Sequence, residues 1–153
     1  ELITGLKITS GEAYDGHHFR PLVDHDLEQN LPVEIYAGDR GYDNGDNHYH
    51  LELRGLHSAI RLKRNRYAKK DGNKEVWLAL IESNQYQTGL KERYKIERKF
   101  GEAKQSHGLG RCRYVTKIRY AVQAYLTFIV LNLKRMVKLI TGTNFKARAY
   151  AWE

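Results

Sequence analysis

The sequence predicts an α/β fold, a mixed, partly parallel sheet flanked by helices. Two observations predict it. Up to Leu62, short apolar runs of strand length alternate with helix-length segments in the order strand, helix, strand, helix, strand, and long helices follow, which is the order an α/β sandwich requires. The chain of 153 residues is 41% hydrophobic, enough for one domain (1–153) with a real core.

The elements follow in order. Leu2 to Ser10 reads as a strand, opening on the alternating Leu2-Ile3-Thr4-Gly5-Leu6-Lys7-Ile8. His18 to Gln29 reads as a helix ended by Asn30-Leu31-Pro32, with Asp15 before it as a loop or capping residue. Glu34 to Ala37 is a second strand, running into a turn at Asp39. Asn44 to Leu53 is a helix closed by Gly55 as a C-terminal cap. His57 to Leu62 is a third strand, apolar enough to be central. Lys63 to Asn73 is too charged and broken to assign, and Trp77 to Ile81 fits a helix or an extra strand equally. Helices over Thr88 to Gln105 and Ile118 to Ile140 complete the set. The chain begins on Glu1 and enters its first strand at once, which suggests a piece of a longer protein.

Charge points to a polyanionic partner. Lys and Arg number 26 against 18 Asp and Glu, a formal net charge of +8 with a pI near 9.5. Such a surplus gives sequence-independent, salt-sensitive attraction to nucleic acid. The basic residues gather at Arg61 to Lys70 and at Arg111 to Tyr120, both runs containing tyrosines able to stack on bases. A solvated face explains either run taken alone equally well.

Other chemistries are set aside. The single Cys112 precludes an internal disulfide and favours a reducing compartment. The seven histidines lack the spacing of a zinc site, and the segment from Asp39 to Asp46 lacks that of a calcium loop. Ala121 to Leu133 is uncharged, but at about a dozen residues it falls short of the ~20 that span a bilayer, so a core helix is expected and no membrane partner.

The most informative stretch is Arg93 to Lys104, where Arg93, Glu97 and Lys104 recur at spacings of four and seven. At roughly 100° per residue they fall within about 60° around a helix and share one face. Leu90 and Phe100 lie on that face too, which suggests a site pressed against a sheet. Asp39, in Ala37-Gly38-Asp39-Arg40-Gly41-Tyr42, is its upstream carboxylate partner, at the end of a strand where α/β sheets gather ligands. Taken singly, each has a plainer reading: an i, i+4 salt bridge for Arg93 and Glu97, a turn residue for Asp39.

Together, Ala37 to Tyr42 and the pattern Arg-x3-Glu-x6-Lys resemble the second and third blocks of the DDE-type transposases of bacterial insertion sequences. Thr4 to Asp15 resembles the strand and loop before that family's second catalytic Asp. Gly108 to Tyr114, followed by a long helix containing Asn132-Leu133-Lys134-Arg135, resembles the stretch after its Glu. Two departures stand out: Leu90 occupies the position where the family carries a Tyr, and the family's first Asp lies upstream of this chain.

The resemblance implies a ribonuclease H-like core whose N-terminal strands are missing here. It implies that Asp39 and Glu97 are two of three catalytic, metal-binding carboxylates for Mg²⁺ or Mn²⁺. Phosphodiester cleavage by in-line attack is served by two such ions about 3.5–4 Å apart, and hard cations take oxygen ligands. Arg93 and Lys104 would then meet phosphate or orient Glu97, and Arg111, Arg113 and Lys117 would bind DNA. The implied function is transposition: metal-dependent cleavage and strand transfer of mobile-element ends into target DNA, by a homodimer on paired ends in the bacterial cytoplasm at the nucleoid, the isolated chain being inactive. The alternatives are a catalytically incomplete DNA-binding or assembly module and a ribonuclease H-like nuclease of another role.

Overall fold

Two short strands, β1 Ile35–Gly38 and β2 His57–Ile60, form the sheet seen among the described residues of this computed structural model, which are 2–68 and 74–142. They pair in parallel, from Ile35 opposite His57 to Gly38 opposite Ile60. Parallel strands need a crossover, and α2 (Gly45–Glu52) supplies it. The Asn44 side chain caps its start by accepting the Asp46 N–H at 3.2 Å. At its end Gly55 takes φ +66°, and the Leu56 N–H returns to the Leu51 carbonyl at 2.9 Å, so the expected glycine cap forms.

The chain divides into two compact units, one of Gly11–Tyr94 and the other of the described residues within Glu1–Ser10 and Lys95–Glu153. The first holds the sheet. Its helix α1 (Phe19–Glu28) follows a 3-10 turn at Asp15–His18 and stops before Asn30, whose φ is +52°. Phe19 and Val23 from α1, Leu51 from α2 and Ile60 from β2 form the core, with Leu27, Tyr36, Tyr42 and Leu56 packed around them. Burial of these side chains is the main force holding the crossover in place.

Beyond β2 come α3 (Arg64–Ala68), α4 (Lys74–Glu82) and α5 (Asn84–Glu92). The charged stretch left unassigned by pattern thus holds a short helix, and its residues 69–73 lie outside the described residues. Trp77 to Ile81 is helical, not an extra strand. Helix α5 starts earlier than its expected Thr88 because the Ser83 hydroxyl accepts the Tyr86 N–H at 3.2 Å. It lies on both strands, and Gly89 makes that possible. A Cβ there would overlap the Ala59 Cβ and come within 2.9 Å of Ile35 Cγ2.

The single helix expected from Thr88 to Gln105 is divided at Arg93. Arg93 keeps helical angles and its N–H still reaches the Gly89 carbonyl at 3.2 Å, but α6 (Tyr94–Ser106) begins afresh after it.

In the second unit α6 is joined by α7 (Lys117–Thr141), which the Thr116 side chain caps at one end and Gly142, at φ +69°, closes at the other. The strand expected over Leu2 to Ser10 does not form: among the described residues this segment has no ladder partner and no regular element. Three of its backbone groups are met by α7 side chains instead. The Asn132 carboxamide accepts the Ile3 N–H at 2.8 Å and donates to the Ile3 carbonyl at 2.7 Å, and the Tyr125 hydroxyl donates to the Leu6 carbonyl at 3.3 Å. Ile3, Leu6 and Ile8 pack on Ala103, Leu109, Ala124, Phe128 and Leu131. The remaining apolar face of α7 is open within these residues, with Val122, Leu126, Ile129, Leu133, Met136 and Ile140 exposed at spacings of four and three. No helix among the described residues is long and apolar enough to cross a membrane.

Candidate active site

Asp39 follows the last residue of β1. Its backbone is extended, and its side chain caps the next 3-10 turn (Arg40–Tyr42), Oδ1 accepting the Gly41 N–H at 2.7 Å. The Tyr42 N–H returns to the Asp39 carbonyl at 3.2 Å, and the Asp43 N–H to the Arg40 carbonyl at 3.3 Å. The turn therefore presents an exposed carboxylate at the carboxyl end of the sheet, one oxygen fixed by backbone. Across the sheet the Arg61 N–H bonds the Gly38 carbonyl at 3.0 Å, so the basic run after β2 starts beside the Asp39 turn.

Four residues on, Asp43 is buried, and sequence reasoning missed it as a site residue. Its Oδ2 accepts the Lys63 N–H at 2.6 Å, while Oδ1 meets His48 Nε2 at 3.2 Å and the Arg66 guanidinium at 3.1 Å. Its carbonyl accepts from the Lys63 ammonium at 3.2 Å. Burial pushes the Asp43 carboxyl up, but the His48 hydrogen bond, the Lys63 N–H and the Arg66 charge outweigh it and hold the group below the usual carboxylate range. His48 Nδ1 lies 2.8 Å from the Ser58 hydroxyl on β2, and Trp77 stacks edge-on to His48 at 5.0 Å with the Arg66 guanidinium 5.0 Å above its ring. Asn47 adds a second tie, its amide donating to the Tyr42 carbonyl at 2.9 Å and the Gly16 carbonyl at 3.1 Å. In the sequence, the signal was an acidic residue directly after Gly41-Tyr42 with a basic run some twenty residues on, a spacing that means nothing until the strands pair.

Glu97 and Lys104 both lie on α6, exposed, seven residues apart and so on one face. Arg93 is half-buried at the α5–α6 division and belongs to the unit that carries Asp39. The contacts of each unit are as follows. Helix α5, through Gly89, makes the sheet contact. Helix α6 packs on α7 through Ala103 and through Phe100, whose ring meets Phe128 edge-on at 5.7 Å.

Arg111 and Arg113 sit exposed in the loop between α6 and α7, and Lys117 opens α7. Gln123 of α7 staples that loop, donating to the Gly108 carbonyl at 2.9 Å and the Arg111 carbonyl at 3.2 Å. Cys112 is an exposed free thiol whose Sγ lies 2.9 Å from the Tyr114 carbonyl.

A hard divalent cation suits the donors at Asp39. The carboxylate is solvent-exposed, and its Oδ2 has no protein partner among the described residues. No three His, Cys, Asp or Glu side chains come together as a metal cage among those residues.

Residues 1–133 match the Transposase DDE domain, and the chain belongs to that family, the DDE-type transposases of insertion sequences. Among its relatives is the transposase for insertion sequence element IS1106 of Neisseria meningitidis serogroup B, to which it is 30% identical over 139 residues. That match covers 90% of this chain and 43% of the relative, so the chain spans less than half the length of that protein. No solved structure matches.

Proposed function

We propose that this chain contributes the second Asp, Asp39, and the Glu, Glu97, of the three carboxylates of a DDE transposase that cuts DNA at the ends of its mobile element and joins them to target DNA. The two units are then parts of one catalytic domain built on a ribonuclease H-like core, and the remaining carboxylate comes from outside these 153 residues, which alone are inactive. The observation that carries this reading is the placement of Asp39: exposed, capped by the Gly41 N–H, at the carboxyl end of β1 in a chain of this family.

The bound Mg²⁺ or Mn²⁺ ions would activate the attacking oxygen and stabilise the leaving one. The chain's own residues bind and orient. Asp39 offers a ligand oxygen with the other locked by backbone. Lys104, on the same helical face as Glu97, takes a DNA phosphate, and Arg93 does the same or steadies Glu97. Arg111, Arg113 and Lys117, exposed together around the stapled loop, supply further phosphate contacts that hold a strand irrespective of sequence. The partners are element-end and target DNA, engaged by a homodimer on paired ends in the bacterial cytoplasm at the nucleoid.

The test uses the natural polypeptide carrying this sequence, supplied with its element-end DNA and Mg²⁺. Cleavage and 3′-end joining should both be lost in Asp39→Asn and in Glu97→Gln, with DNA binding retained. Normal cutting and joining by either variant would refute the site. Cleavage without joining in the wild type would favour a nuclease, and binding without cleavage an assembly module.

A further inference from the structure

The buried network around Asp43 demands a role. Asp43, His48 and Ser58 line up as acid, imidazole and hydroxyl, yet they are not a nucleophilic triad. Ser58 is itself buried, and both Asp43 oxygens are taken, one by the Lys63 N–H and one shared by His48 and Arg66. A hydroxyl without access to substrate has nothing to attack.

The network does fasten one thing. A single 3-10 turn joins Asp43 to Asp39, and both backbone hydrogen bonds of that turn lie between them. Asp43 pins the far end of the turn to β2 through His48 and Ser58, to the strand's exit through Lys63 and to α3 through Arg66. The near end is fixed by β1 itself. A metal-ligating carboxylate on a loop must be held to well under an ångström by its supports, and such supports are worth about 10–100-fold in metal affinity. Being acceptor-only, an ionised carboxylate at position 43 suits three converging donors.

We propose that Asp43 is a positioning residue that holds the Asp39 carboxylate in place through the 3-10 turn between them, a role that rests on Asp39 being a metal ligand. It also draws the basic residues Lys63 and Arg66 toward the same turn, so that the strand-exit charges and the carboxylate move as one piece.

The test compares wild type, Asp43→Asn and Arg66→Gln in the natural polypeptide, with Asp39→Asn alongside. Three quantities are read: hydrogen exchange of the segment from Asp39 to Asn44 without metal, Mn²⁺ affinity by the resonance of the free ion, and the Mg²⁺ concentration giving half-maximal cleavage. Asp43→Asn keeps an acceptor for the Lys63 N–H but loses the charge that Arg66 meets. It should exchange faster in that segment while α5 stays protected, and should bind Mn²⁺ and respond to Mg²⁺ with midpoints about tenfold higher. Excess Mg²⁺ should restore much of the cleavage. Arg66→Gln, at a more exposed position, should shift the same midpoints by less and serves if Asp43→Asn does not fold. Unchanged metal midpoints in folded Asp43→Asn or Arg66→Gln, with Asp39→Asn inactive, would overturn the positioning role alone. Wild-type cleavage by Asp39→Asn would instead overturn the site reading on which it rests.

Discussion

The two units hold their carboxylates by opposite means. In Gly11–Tyr94 the organising acid, Asp43, is buried within a polar network of backbone, imidazole and guanidinium donors. In the other unit the corresponding tie, Glu102 to Lys134 at 2.6 Å, with Lys99 at 3.4 Å, lies partly in solvent at the rim of a helix pair. Buried polar networks cost much when broken and fix one geometry, whereas partly exposed pairs contribute little and fix little. On the proposed reading, the turn that carries Asp39 has a ligand oxygen to present, and it has the first kind of support beside it at Asp43. A helix already rigid along its axis manages with the second.

Several substitutions would break or sharpen that contrast. The largest effect is expected for Asp43→Ala, which leaves the Lys63 N–H, His48 and Arg66 facing a hole and should cost about 3 kcal/mol in the sheet-bearing unit. Glu102→Ala in the other unit should cost under about 1 kcal/mol. Denaturant unfolding read by hydrogen exchange in each unit measures both, and equal costs would erase the distinction.

Two helical glycines give the next effect, with opposite signs. Alanine favours a helix over glycine by about 1 kcal/mol. At Gly101 in α6 nothing lies within 4 Å of the new methyl, so Gly101→Ala should stabilise by up to that amount. At Gly89 the methyl would overlap Ala59, and overpacking of about 1–3 kcal/mol outweighs the helix gain, so Gly89→Ala should destabilise and loosen α5 from the strands. Thermal unfolding of the pair decides it.

The smallest effect is in pH. Burial, joined by the Lys134 charge and opposed by Glu102, lowers the His107 imidazole. Its contribution is therefore complete above the ordinary value near 6.5 and fades as pH falls through the lowered folded value. Asp43 is also lowered, against its own desolvation, so its contribution is complete above about 3.9 and fades only below. On acidification, amide protection should begin to weaken around His107 as pH falls below about 6.5, while the Asp43 network persists to lower pH. His107→Gln should remove the first phase and leave the second.

Much of this organisation was legible in the chain. Asn44, Gly55 and the run Glu34 to Ala37 announced the crossover because capping chemistry and strand patterns are local. Asp39 stood out because a carboxylate after an apolar run and before glycine has few uses. The strand at Leu2 to Ser10 misled because alternation records which side chains are buried, not what satisfies the backbone, and here Asn132 and Tyr125 do so from over a hundred residues away. Gly89 lay hidden as an ordinary helix weakener until the strands beneath it were in place. The Asp43 network was invisible because Lys63 and Arg66 lie twenty and more residues along the chain and reach it only once β1 and β2 pair.

The most direct test of Asp39 and Glu97 as metal ligands is thiol substitution. In the natural polypeptide carrying Asp39→Cys or Glu97→Cys, element-end cleavage should fall by at least about a thousandfold with Mg²⁺, some 4 kcal/mol of lost transition-state stabilisation. Mn²⁺, which tolerates sulfur better than Mg²⁺, should restore part of it. Cleavage at the wild-type rate with Mg²⁺ by either variant would contradict the assignment, because a side chain that can be exchanged for a thiol without cost is not holding the ion.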